Sequence, residues 1–201
     1  MKRTLALILL SVSLFSLFAC AGGNRSYDEA EVLSEAERLI KESAVLNEVF
    51  WGEGLEYEEE EDSTKVYFPA TRAALSRLGV ENVEDMLEKT LSVFSREYSE
   101  SIYLSVFNGT SGGAGTAVYA RYYQDNDKVM VYSRYNRLLT DEVEYLYDTL
   151  SVVGSKGEVV TVKISVKVTR DGSSQTKEKE IGLIEEADGW KIDTPTFATY
   201  H

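Results

Sequence analysis

From Val160 to Thr169 the chain alternates without interruption. Val160, Val162, Ile164, Val166 and Val168 are apolar, and Thr161, Lys163, Ser165, Lys167 and Thr169 between them are polar. Successive side chains of a strand point to opposite faces, so this run predicts a strand with one face in a core and the other in water. The N-terminal half carries a different period. Leu33, Ala36, Ile40, Ala44 and Phe50 recur at helical spacing behind Asp28, and the Gly52-Glu53-Gly54 run ends that helix. Val66 to Pro69 is a short extended piece, and Thr71 to Leu78 a helical turn closed by Gly79. Asn82, with Asp85 three residues on, caps a second helical block. Its stripe of Val83, Leu87, Leu91, Phe94, Tyr98 and Ile102 continues to the glycine-rich run at Asn108.

Beyond that run the period is two. Thr116 to Tyr123 and Lys128 to Tyr135 form a hairpin around Asp125-Asn126-Asp127, and Glu144 to Val153 is a further strand. Asp171-Gly172 turns the chain into Gln175 to Glu185, and Asp188-Gly189 turns it into Trp190 to Asp193. Helices first and antiparallel strands afterwards predict an α+β domain over residues 28–201, its N-terminal helices packed on one face of a curved antiparallel sheet.

Composition removes several kinds of chemistry. The chain has 21 Lys and Arg against 34 Asp and Glu, a net charge of −13, which argues against neutralising nucleic-acid phosphates. Its one cysteine is Cys20 and its one histidine is the last residue, His201. Zinc sites of the Cys₄ or Cys₂His₂ type and Cys-His pairs are excluded, and a Ser-His-Asp triad would have to use the terminal residue. Gly109 to Gly113 matches G-x-S-x-G, but with a helix before it and a strand after it, the reverse of a nucleophile elbow. Ser174 and Lys177 match S-x-x-K on a strand, where the two side chains cannot meet as they would on a helix. A non-catalytic protein without metal or cofactor is the expectation.

The N-terminus reads as an export signal. Lys2 and Arg3 precede an apolar stretch from Leu5 to Phe18, and small residues follow. Leu17-Phe18-Ala19-Cys20 resembles a bacterial lipobox, in which cleavage before the cysteine is coupled to lipidation of its sulfur. Cys20 is then the lipidation site, residues 1–19 are removed, and residues 20–27 tether an extracytoplasmic domain to the membrane.

Two groups of residues suit binding. Glu58, Glu59, Glu60, Glu61 and Asp62 sit in an acidic run that is either a solvated loop or a contact for a basic partner. It lacks the alternating Asp or Asn and the turn glycine of a calcium loop. Thirteen tyrosines are many for 201 residues, and Tyr122, Tyr132 and Tyr135 are expected on an aromatic face.

The C-terminal run Asp188-Gly189-Trp190-Lys191-Ile192-Asp193-Thr194-Pro195-Thr196-Phe197 looks like the closing strand of NTF2-like and cystatin-like domains. With the helix reaching Phe50-Trp51, the Tyr67 to Leu78 connection and the Arg121-Tyr122-Tyr123 hairpin, the chain resembles the D,L-endopeptidase inhibitors (IseA-like) of bacterial cell walls. That resemblance implies a protein that is not an enzyme and that docks an acidic surface on an exported peptidoglycan-cutting cysteine peptidase. The alternative is a small ligand held in a cavity between helices and sheet.

Overall fold

The computed structural model describes residues 27–59, 64–109 and 119–198. The helices among these residues are α1 (Glu29–Trp51), α2 (Arg72–Leu78), α3 (Val83–Val93) and α4 (Arg96–Val106). The strands among them are β1 (Tyr67–Pro69), β2 (Tyr122–Asp125), β3 (Lys128–Tyr132), β4 (Glu142–Lys156), β5 (Val159–Arg170), β6 (Ser173–Glu186) and β7 (Gly189–Ile192). The architecture is α+β, and every strand pairing is antiparallel.

The strands make two sheets where one was expected. The hairpin β2–β3 pairs with β1 in the order β1-β3-β2, while β4-β5-β6-β7 form a separate meander. β1 is only three residues long, yet it takes up the free edge of β3, with Tyr67 opposite Tyr132 and Phe68 opposite Val131. The long helix beside the four-stranded meander is compatible with a cystatin-like layout.

Local chemistry accounts for most element ends. The Asp28 carboxylate accepts from the backbone N–H of Ala30 at 2.9 Å, and Glu29 and Glu31 place negative charge in the first turn of α1. Thr71 caps α2, Asn82 caps α3, and Gly79 closes α2 in the left-handed region. Asp171 and Gly172 both have positive φ, as a two-residue hairpin turn of the primed type requires. In β5, Val160, Val162, Ile164, Val166 and Val168 are all buried. They share one core with Val32, Ala36, Leu39 and Ile40 of α1 and with Ile181, Leu183, Trp190 and Ile192. Those side chains form the core between α1 and the meander.

The second helical block is not continuous. Phe94 leaves the helix with an extended backbone and bridges Ile192 of β7, and the Ser95 N–H donates to Ile192 O at 2.8 Å. Ser95 then caps α4, its hydroxyl accepting from the Tyr98 N–H and donating to the Asp193 carboxylate. The apolar stripe passes through the break unchanged, because Phe94 and Tyr98 still pack edge to face at 5.3 Å. Ser95→Ala is expected to cost about 1–2 kcal/mol, as loss of a helix cap does, read as a lower urea midpoint. An unchanged midpoint would show that the β7 bridge alone holds the break.

Candidate functional site

The small sheet has two unlike faces. Phe68, Tyr122, Val129 and Val131 point inward and are buried. By alternation, Tyr67, Tyr123 and Tyr132 point outward. Tyr67 meets Tyr123 edge-on at 4.8 Å and Tyr132 at 5.2 Å. Tyr119, just before β2, lies flat on Tyr132 at 4.8 Å with the rings 4° from parallel. Tyr119 and Tyr123 remain solvent-exposed, so the four rings form a surface cluster among the described residues. The Tyr67 hydroxyl donates to Ala120 O at 2.7 Å. Burial, assisted by the neighbouring phenols, pushes its pKa up to about 12, and the group stays neutral at any physiological pH.

The acidic run begins at the edge of this sheet. The Glu58 N–H donates to Pro69 O at 2.9 Å, the Thr71 N–H donates to Glu56 O at 2.8 Å, and Tyr57 bridges Ala70. Tyr57 turns inward and stacks on Phe68 at 5.6 Å. Glu58, its exposed neighbour opposite Pro69, therefore lies on the other face, the tyrosine side. Glu56 also pairs with Arg77 of α2 at 3.2 Å. Both residues are largely exposed, and such pairs contribute little to stability.

Behind the sheet, the C-terminus of α1 is capped by residues distant in sequence. The helix has no basic residue in its last turn. Arg121 supplies the cation, although it is only 2% exposed. Its Nη1 donates to Phe50 O at 2.9 Å, its Nη2 to Gly52 O at 2.8 Å and its Nε to the Tyr122 hydroxyl at 3.2 Å. That hydroxyl donates to Val49 O at 2.7 Å and accepts from the Leu55 N–H at 3.0 Å. Leu138 and Leu139 both donate to Trp51 O. The carbonyls of residues 49 to 52 are thus satisfied by tertiary contacts. Gly54, at φ +86°, lets the chain pass this site, since a Cβ there would lie 2.3 Å from Arg121 Nη2. The Tyr135 ring covers the guanidinium at 4.0 Å. A cavity of about 290 Å³ lies alongside, lined in part by Arg121, Tyr132, Tyr135 and Glu53. Arg137 closes its rim by an ion pair with Glu53.

The expected binding residues divide accordingly. Glu58 and Glu59 are exposed at the sheet edge, while Cys20, Glu60, Glu61 and Asp62 lie outside the described residues. Tyr132 belongs to the outward cluster. Tyr135 follows β3 and is half-buried on Arg121. Tyr122 corrects the expectation of an aromatic contact face: it is fully buried, and burial raises its pKa. The residues missed were Tyr67, in a segment too short to assign to a sheet, and Arg121, for which the missing cation in α1 was the only signal. Ser174 and Lys177 lie on β6, three residues apart and on opposite faces. Among the described residues no three His, Cys, Asp or Glu side chains converge as metal ligands would. Compared with models of known protein families and with curated proteins, the chain matches none.

Proposed function

We propose that this protein is a non-catalytic binding protein of the bacterial cell envelope, anchored through a lipid on Cys20. Its partner is a basic exported protein, and the resemblance of its sequence to the D,L-endopeptidase inhibitors makes a peptidoglycan-cutting peptidase the leading partner. The observation that carries this reading is the four-tyrosine cluster beside the acidic segment that begins at the edge of the small sheet. Tyrosine is enriched where proteins meet, because its ring adds contact area at little entropic cost and its hydroxyl tolerates water. An acidic rim next to such a cluster steers a basic partner toward it.

The test is digestion of peptidoglycan by a purified D,L-endopeptidase, with and without an excess of the protein. Digestion should slow, and added salt should relieve the effect. A Glu58→Gln, Glu59→Gln double variant should associate about tenfold more slowly while dissociating at nearly the same rate, since rim charges act through steering. Tyr123→Ala should instead speed dissociation. Undiminished digestion at every protein concentration would remove the inhibitor reading.

A further inference from the structure

A second cleft, of about 480 Å³, opens where the end of α1, the face of α4 and the segment after β3 meet. Its walls are aromatic, formed by Trp51, Tyr98, Tyr119, Tyr135 and Phe197. Ser101, Ser105 and Asn136 add polar groups, and no Asp, Glu, Lys or Arg lines it. In a chain that is 27% charged, that absence selects against an ionic ligand, which would enter without a counter-charge. Among the described residues, the hydroxyls of Tyr98 and Ser101 and the amide of Asn136 make no hydrogen bond to another protein group. A purely apolar ligand would leave all three unused or strip them of water.

The ligand that matches is one with a flat apolar face and a rim of neutral hydroxyl or amide groups. A pyranose ring has that form, with axial C–H groups on its faces and hydroxyls at its edge. We propose that the cleft binds a neutral sugar ring of a glycan chain, stacked between the aromatic walls and hydrogen-bonded by Tyr98, Ser101 and Asn136. The volume lies in the range of small-ligand sites. Tyr119 serves both regions, lining the cleft and stacking on Tyr132. A chain leaving the cleft past Tyr119 therefore meets the outer tyrosines next, which favours a polymer over a free monosaccharide. The site does not depend on a peptidase partner, because neither Glu58 nor Tyr123 lines it.

Calorimetric titration with two soluble probes tests it: a tetramer of β-1,4-linked N-acetylglucosamine and a tetramer of β-1,4-linked glucose. Saturable binding of at least one is expected, and preference for the first would assign the amide of Asn136 to the acetamido group. Asn136→Ala and Ser101→Ala, both at exposed positions, should keep the parent melting temperature. The Asn136 variant should lose about tenfold in affinity, the worth of a good hydrogen bond. Tyr98→Ala should lose at least as much through stacking. The proposal is overturned if neither tetramer binds at millimolar concentration. It is equally overturned if the folded Asn136→Ala and Ser101→Ala proteins bind as tightly as the parent.

Discussion

Arg121→Met is expected to lower the stability of the domain by about 3 kcal/mol, seen as a fall in the urea midpoint at unchanged slope. Methionine fills similar space but donates nothing, so Phe50 O, Gly52 O and the Tyr122 hydroxyl each lose a partner inside the protein. A buried group left unpaired costs its full desolvation, which is why the loss exceeds the net worth of three ordinary bonds. The end of α1, which has no basic residue in its own last turn, also loses the guanidinium that meets its carbonyls. Arg121→Lys separates the two contributions. It keeps the charge but cannot span two carbonyls with a planar fork, so it should recover less than half of the loss. An unchanged midpoint for the methionine variant would mean that water satisfies the helix end and that Arg121 is no tie between α1 and the small sheet.

Trp190→Ala should cost about 3–5 kcal/mol, the range for truncating a large buried aromatic. Trp190 is 7% exposed, lies in β7 opposite Glu185 and belongs to the core shared by α1 and the meander. Its indole Nε1 is buried without a hydrogen-bond partner. Trp190→Phe removes that orphan donor along with part of the ring, so it should cost well under half of the alanine value. Equal losses for alanine and phenylalanine would show that the indole N–H does find a partner in solution. A melting temperature unaffected by alanine would put Trp190 at the surface, against its place in the core.

Much of the scaffold is determined by short stretches of sequence. The alternation from Val160 to Val168 makes β5 one-sided wherever the chain is placed, because strand geometry has a period of two. Asp28, Thr71 and Asn82 begin helices because their side chains bond the first free N–H groups of the helix that follows. Helices preceding tight-turned strands are enough for the α+β class. The Asp171-Gly172 turn and the turn at Asp188, which in the structure is Ala187-Asp188 with Gly189 opening β7 at positive φ, mark the meander through backbone preferences of the residues themselves.

What tertiary structure decided has a common cause: these features depend on partners far along the chain. The apolar stripe from Val83 to Ile102 runs on through Phe94, and the one local sign of a break is Ser95, whose hydroxyl caps α4. The helix breaks there because Ile192 O, about a hundred positions away, takes the Ser95 N–H. The strands separate into two sheets because the short Tyr67–Pro69 segment claims one edge of β3. Tyr122 and Tyr123 are adjacent in β2, so one of them had to face inward, and alternation alone is silent on which. The carbonyl of Val49 at the end of α1 decided it by accepting the Tyr122 hydroxyl, which left Tyr123 and Tyr132 together on the outer face. Arg121 belongs to the same case. Burying an arginine without a carboxylate runs against its composition-based expectation, and only the bare C-terminus of α1, brought alongside by the fold, makes that position favourable.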